Sequence, residues 1–356
     1  MIEKKDVQVR LLKEKNNGDK ATKEEINNLL RIVSPGTHFR NALEGILQAK
    51  KGALIVVETN NIQQIIDGGF KINAKFSPQK LIELSKMDGA IILSKDMKRI
   101  SHANVTLYPD KKIQTNETGT RHKAAERTAK MMNNLVVAAS ERKGEITIYF
   151  KNYKHILKNT NELLRKVNEQ IQIIEKQREL FDNNITQLNK LEIRNYLNLK
   201  QATQTIQRGR LIEKIAQDMK PLLVEIGNEG TLIKTRLKEL LSNIEKETNL
   251  IIKDYTKIDL KKSRILIDSL TYDELTDSEN VISALAYEKD TKIERIRGWR
   301  ILSKTSLEDQ DIAILTKELD SLGKTLYSNA NIYKKIIGEE KAKTFKEEIE
   351  KIKLNF

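Results

Sequence analysis

The sequence predicts a multidomain chain in which an α/β domain, a mixed β-sheet flanked by helices, is followed by all-α segments. Two observations predict it. Between Gly52 and Phe150, apolar runs of strand length are interleaved with stretches of helical periodicity, the pattern of a sheet covered by helices. From Lys151 to about Leu270 strand signal is scarce, and apolar residues recur every three, four or seven positions, as in long packed helices. The chain has 356 residues, 38% of them hydrophobic, which is enough for two or three cores of ordinary size. The division expected is an α/β domain over 1–150, a helical spine over 151–290 and a third domain over 291–356.

Thr22-Lys23-Glu24-Glu25 announces the first helix as a capping box, with Ile26, Leu29, Leu30 and Val33 behind it and Ser34-Pro35-Gly36 to stop it. A second helix carries Phe39, Leu43, Ile46 and Leu47 on one face and leads into Gly52 to Val57, a buried strand. Gly68-Gly69 marks a turn before Phe70-Lys71-Ile72. Ser77 caps a short helix that Pro78 opens, and this helix delivers the chain to Asp88. Ala90 to Ser94 then reads as a strand covered on both faces, and further strands are expected at Val105 to Leu107, Leu135 to Ala139 and Ile146 to Phe150.

In the spine, Ile156, Leu163, Val167, Ile171, Ile174, Phe181, Ile185 and Leu188 mark one long helix. Lys220-Pro221 is expected to break a second, which Leu222, Ile226, Leu232, Ile233, Leu237, Leu240, Leu241 and Ile244 continue as a packed bundle. Asn and Gln are abundant there, but no polar constellation repeats, so the spine reads as a structural spacer. Beyond it, helices are expected at about Leu307 to Leu319, Tyr333 to Ile337 and Glu339 to Lys353.

Two polar clusters stand out in this frame. Asp88-Gly89-Ala90 lies at a strand entrance, where a carboxylate stays solvated and can reach a ligand. Gly119-Thr120-Arg121-His122-Lys123 opens a helix-forming run to Met132, with Thr120 as the expected N-cap. A helix N-terminus offers unpaired N–H groups and a positive dipole end, and Arg121, His122 and Lys123 add side-chain donors to it. That combination suits an anion, phosphate above all. Lys123, Arg127 and Lys130 read equally well as an ordinary solvated face.

Composition narrows the alternatives. There is no cysteine, which excludes disulfides and thiolate chemistry, and the four histidines show no helical i, i+4 pair of the kind a zinc helix uses. The net charge of +14 is carried mostly by residues 1–150, which fits the handling of polyphosphates better than a chain coated for nucleic acid. Met1 to Asp6 is charged and no apolar run approaches membrane-spanning length, so a cytoplasmic protein with no membrane partner is expected. No Walker loop or dinucleotide fingerprint is present.

Lys86 to Ser94, His102-Ala103-Asn104-Val105 and Glu117 to Arg127 resemble the diadenylate cyclase domain, and the match extends along the chain to the DNA-integrity-scanning diadenylate cyclases. The resemblance implies the diadenylate cyclase fold, a helical spine and a C-terminal helix-hairpin-helix domain entered through Arg297 to Lys304. It implies condensation of two ATP into cyclic di-AMP, with Mg²⁺ or Mn²⁺ as cofactor and an octameric homo-oligomer in which two half-sites face each other. On matching positions it implies Asp88 as metal ligand and activator of the ribose 3′-hydroxyl, with Arg121 and His122 catalytic. Gly89, Ala90, Leu107, Thr120, Arg121, His122, Lys123, Ala124, Ser140 and Arg142 are the implied ATP contacts, Leu107 on the adenine side.

Two departures stand in this chain. The family's Arg-His-Arg reads Arg121-His122-Lys123, which keeps the charge but loses the planar fork. The family's DNA hairpin reads Ile336-Ile337-Gly338-Glu339-Glu340-Lys341-Ala342-Lys343, so only Gly338 of the paired glycines remains. Ile336 takes the place of the first, and Glu339-Glu340 adds negative charge. Gly338, Lys341 and Lys343 are the implied contacts to branched DNA, weakened by this degenerate hairpin. The alternative reading is a DNA-binding or nucleotide-sensing protein with weak or no synthesis.

Overall fold

The computed structural model describes residues 20–289 and 291–355; the charged start, Met1 to Asp6, lies outside them. Two compact units divide the chain, Met1–Val167 with Pro221–Leu232 and Asn168–Lys220 with Ile233–Phe356.

The first unit begins with α1 (Lys23–Ile32), whose capping box is formed as expected: Thr22 Oγ1 accepts the Glu25 N–H, and the Glu25 carboxylate accepts the Thr22 N–H at 2.8 Å. Next come α2 (His38–Gln48), β1 (Ala53–Val57), β2 (Ile66–Asp67) and β3 (Phe70–Lys75). Helix α3 (Pro78–Leu84) has Ser77 as N-cap and Pro78 in its first turn. Then follow β4 (Ala90–Leu93), β5 (Arg99–Leu107), α4 (Thr120–Met132), β6 (Val136–Ser140), β7 (Glu145–Phe150) and β8 (Tyr153–Leu157).

These eight strands form one mixed sheet in the order β2-β5-β4-β1-β6-β7-β8, with β3 also paired to β5. Strands β1 and β4 are parallel and the other pairs antiparallel. The continuous apolar runs are explained by cover on both faces. Ile55, Val57, Ile91, Leu93, Val137 and Ile148 pack on one side against Leu30 of α1, Leu43 and Ile46 of α2 and Leu81 of α3. The alternate residues Leu54, Val56, Ile92, Val136 and Ala138 pack on the other against Ala125 and Ala129 of α4 and Ile62 and Ile65 of the β1–β2 connection. Alanines on α4 allow that helix to approach the sheet closely.

Strand β8 corrects the expectation that strand signal ends at Phe150. Its residues alternate in burial, with Ile156 43% exposed, so Ile156 begins no helix and a boundary at Phe150 cuts the β7–β8 hairpin. Short edge strands with mixed residues give little periodic signal, which is why this one is hard to read.

The long helix α5 (Thr160–Ile193) follows, with Leu163, Val167, Ile174, Phe181 and Leu188 buried as its periodicity predicts. Helix α6 (Leu199–Ile226) runs through Pro221, contrary to the expected break. The ring forfeits one helix hydrogen bond, a cost the rest of a long helix can absorb, and the division between the two units falls at this residue. Helices α7 (Thr231–Leu240), α8 (Ile244–Tyr255), α9 (Leu260–Ser269), α10 (Tyr272–Thr276) and α11 (Ser278–Ala284) complete the spine. Leu232, expected in the bundle core, is 83% exposed.

The C-terminal segment contains α12 (Trp299–Leu302), α13 (Asp309–Leu319), α14 (Leu322–Tyr327), α15 (Ala330–Ile337) and α16 (Glu339–Asn355). Its apolar residues share one core with the spine helices: Leu188, Ile206, Ile251 and Tyr255 cluster with Ile301, Leu315, Leu326, Tyr333 and Phe345. Buried charge reinforces that core. The fully buried Arg300 donates to Glu192 Oε2 at 2.5 Å and to Asn189 Oδ1 at 2.6 Å, and Tyr255 donates to the other oxygen of Glu192. The Asp254 carboxylate accepts the Trp299 and Arg300 N–H groups at 2.7 and 2.9 Å, so it caps α12. Burial, helped by the Glu192 charge, pushes the Asp254 carboxyl up to about 7 against the pull of those bonds.

Candidate nucleotide site

Strand register assembles the first cluster of predicted residues. Leu54 pairs with Ala90, Ala53 with Ala139 and Ala90 with Val105. The starts of β1 and β4 and the ends of β5 and β6 therefore share one end of the sheet. That end carries Gly52, Asp88-Gly89, Leu107 and Ser140. Asp88 is exposed, and its carboxylate has no hydrogen-bonding or ionic partner among the described residues.

Gly89 is there because nothing larger fits. It has φ +84°, and a Cβ placed on it would meet Asn104 C at 2.8 Å and Val105 N at 2.9 Å. Strand β5 bulges at this point, with Asn104 at φ +55° and a register shift against β4. The resembling motifs around Asp88 and Asn104 are thus two sides of one close backbone approach.

Helix α4 brings its N-terminus to the same end. A Cβ on Gly52 would lie 2.1 Å from Arg121 Nη1 and 3.2 Å from the Ala139 carbonyl, so the Arg121 guanidinium rests on the start of β1 beside the end of β6. Thr120 is not the N-cap as expected. Gly119 takes that position, extended at φ −84° and ψ 142°, and Thr120 is the first helical residue. A glycine cap has no side chain to satisfy the first-turn N–H groups, which leaves them for a ligand. Ala124 and Leu107 both pack on the rim of the apolar cluster that α4 covers, a surface suited to a flat base.

Ser140 ends β6, and its Oγ accepts the Lys143 N–H at 3.3 Å, closing the turn that presents the exposed Arg142. Arg142 and Lys123 have no side-chain partner among the described residues. The site is therefore an exposed carboxylate and several uncommitted cations around a helix N-terminus, beside an apolar rim.

Sequence reasoning missed the support behind His122. Its ring meets that of Tyr149 edge-on, with centroids 6.3 Å apart. The Tyr149 hydroxyl donates to Glu117 Oε1 at 2.9 Å, and Lys154 Nζ lies 2.5 Å from the same oxygen. Burial alone would raise the Glu117 carboxyl, but Lys154 and Tyr149 hold it below its usual range. Burial pushes His122 down; Glu117 opposes that shift, and Lys154, Lys143 and Arg121 add to it. Glu117 lies within the stretch that resembles the diadenylate cyclase domain, but no role for it was legible there. Tyr149 and Lys154 are strand residues whose relevance depends on tertiary contact.

The basic face of α4 also differs from either reading of it. Arg127 Nε donates to the Ile113 carbonyl at 2.9 Å and Lys130 Nζ to the Gln114 carbonyl at 3.0 Å, while Thr115 bonds Glu126. These side chains pin the β5–α4 loop, and Lys123 alone of the three cations stays uncommitted.

The predicted DNA contacts lie elsewhere, in the second unit. Gly338 joins α15 to α16 at φ +84° with open space around it. Ile336 lies inside α15, half-buried against the core, so it is a packing residue and presents no hairpin N–H. Lys341 is spent on Asp311 at 2.7 Å, and Lys334 on Glu339 at 2.5 Å; Lys343 is exposed.

Comparison with known proteins agrees with this layout. Residues 40–154 match the nucleotide-binding domain of the DisA bacterial checkpoint controller, and residues 157–294 match its linker region. The N-terminal unit is thus a nucleotide-binding domain of that class. A DNA integrity scanning protein DisA of Clostridium beijerinckii is 37% identical over 338 residues, 92% of this chain and 95% of that one. One of Clostridium botulinum is 39% identical over 242 residues, 68% of each chain. The chain belongs to the DisA family. A solved structure of DacA from Staphylococcus aureus covers 36% of this chain and 89% of that one, at 25% identity and a TM-score of 0.30. Among the described residues no helix is long and apolar enough to cross a membrane.

Proposed function

We propose that the chain is a diadenylate cyclase that condenses two ATP molecules into cyclic di-AMP and two pyrophosphates. The observation that carries this reading is the gathering of Asp88, Leu107, Arg121, Ser140 and the α4 N-terminus at one sheet end, with the charges of Asp88 and Arg121 uncommitted among the described residues. In this reading the base lies on the Leu107–Ala124 rim. The triphosphate meets the first-turn N–H groups of α4 with Thr120, Arg121, His122 and Lys123, and Ser140 and Arg142 complete the phosphate contacts. Gly89 and Ala90 give the backbone approach. Each ATP offers its 3′-hydroxyl to the α-phosphate of the other, so the sheet ends of two protomers face each other and an isolated protomer is inactive. Positioning and electrostatic stabilisation supply most of the rate.

Mg²⁺ or Mn²⁺ fits the donor set, because Asp88 is a single free carboxylate and such ions take one or two carboxylates with the rest from substrate phosphate and water. When bound, the ion neutralises charge on the phosphates and lowers the pKa of a coordinated hydroxyl. No cluster of three or more His, Asp or Glu is present among the described residues to hold an ion without substrate. The family's octamer and a cytoplasmic location belong to the same proposal, as does a division of labour between the nucleotide-binding domain, whose sheet runs on to β8, and the helical region that follows it. DNA sensing rests on Gly338, Lys341 and Lys343, and the pairing of Lys341 supports only modest affinity. The direct test is purified full-length protein with ATP and either metal, followed by chromatography for cyclic di-AMP. Its absence with both metals would favour a nucleotide sensor without synthesis.

A further inference from the structure

A cavity of about 340 Å³ opens within the helical unit, where α5, α6 and the α10–α11 junction meet. Its volume is at the lower end of the range for small-molecule sites. The walls are built around a fixed frame. Gln207 Nε2 donates to the Leu275 and Thr276 carbonyls at 2.9 and 3.0 Å, tying α6 to the end of α10. Arg208 Nη1 donates to Gln177 Oε1 at 2.7 Å, which orients the guanidinium and leaves its remaining N–H groups unspent. The side-chain amides of Asn184 and Gln204, which also line the cavity, form no hydrogen bond within the described protein. Leu180, Leu211 and Leu275 provide an apolar floor.

The charge balance selects the ligand. One guanidinium lines the cavity and no carboxylate does. Asp277, between Thr276 and Ser278, spends its side chain on the Glu279 N–H at 3.0 Å. We propose that this cavity binds a small organic anion, its phosphate or carboxylate held by Arg208 and its hydrogen-bonding body by Asn184 and Gln204. Arginine suits such groups because its planar fork presents parallel donors to paired oxygens. A binding site here makes the spine more than a spacer. The inference is independent of nucleotide turnover at the sheet end.

Hydrogen–deuterium exchange on the full-length chain tests it, with glycerol 3-phosphate in one arm, citrate in a second and sodium chloride at matched ionic strength in a third. Slowed exchange in the segments around Asn184, Gln204–Arg208 and Thr276 with either organic anion, beyond the chloride control, supports the site, and the arm that responds assigns phosphate or carboxylate. Arg208→Gln should weaken that response by about tenfold or more, the order expected for a lost charge-assisted hydrogen bond. Asn184→Leu, which removes one of the two free amides and narrows the cavity without changing charge, should weaken the response with the melting temperature retained. No protection by either anion, or protection undiminished in Arg208→Gln, would overturn the proposal.

Discussion

The two ends of the chain that sequence motifs single out use their charges in opposite ways. At the sheet end of the first unit, Asp88, Lys123 and Arg142 have no partner among the described residues. In the C-terminal segment Lys334 and Lys341 are paired to Glu339 and Asp311, and Arg300 is wholly buried on Glu192 and Asn189. Charged residues are plentiful in both places, so composition does not separate them. What separates them is whether the fold has already satisfied the charge: an uncommitted group is available to a ligand at little cost, whereas a paired one must first be released.

The strongest way to break this comparison is Asp88→Asn. The amide is nearly isosteric and nothing in the protein depends on the carboxylate, so fold and oligomeric state should persist. Cyclic di-AMP synthesis should fall by roughly a hundredfold or more, because the group's charge is what the proposed site uses. Wild-type turnover by this variant would remove Asp88 from the site.

Arg300→Met probes the opposite case, a charge that serves only the fold. It leaves Glu192 buried without its cation, which typically costs about 3–5 kcal/mol. Chemical denaturation of the full chain should show the loss in the transition that reports the helical unit, with ATP affinity at the sheet end unchanged. A loss of ATP affinity with no change in unfolding would contradict the assignment.

Lys123 tests whether an uncommitted cation is also a functional one. Lys123→Ala should lower kcat/KM by about ten- to a hundredfold, the range of one charge-assisted hydrogen bond. Lys123→Arg should equal or exceed the native rate, since the fork geometry is restored. A harmless alanine would return Lys123 to the solvated face that the sequence also allowed.

A smaller effect is expected at the hairpin. Asp311→Asn removes one negative charge and frees Lys341, so binding to branched DNA should tighten. The slope of log affinity against log salt should steepen by about one phosphate contact. An unchanged slope would mean that Lys341 does not reach DNA even when released.

Much of this was legible in sequence, and the reasons differ by element. The capping box at Thr22, Ser77-Pro78 and the continuous strands β1 and β4 were readable because local chemistry or double-sided burial dictated them. The buried stripe on α5 was readable because it recurs over many turns. Strand β8, the passage of α6 through Pro221 and the exposure of Leu232 were not readable, since each depends on what lies next to the element in space. At the site, motif residues were found by resemblance, but their grouping required the register of β1 with β4 and β6. The Glu117–Tyr149–Lys154 support was visible only once β7 and β8 had paired behind α4.

That support leads to the smallest expected effect and a clear sign. Burial holds the folded His122 below its ordinary value of 6.5, while the unfolded chain titrates near it. The unfolded state therefore takes up the proton first, so this group's contribution to stability is lost as pH falls below about 6.5. A triphosphate beside the ring would favour the imidazolium and raise the value, so ATP binding should take up protons just below neutrality and tighten as pH falls through that window. Glu117→Gln should act in the other direction, because it removes the neighbouring carboxylate that raises His122. The imidazole resonances of His122, followed by NMR against pH, give the order directly: lowest in Glu117→Gln, higher in the native protein, highest with ATP. A titration that does not move on adding ATP would place the phosphates away from His122 and return the α4 N-terminus to a structural role.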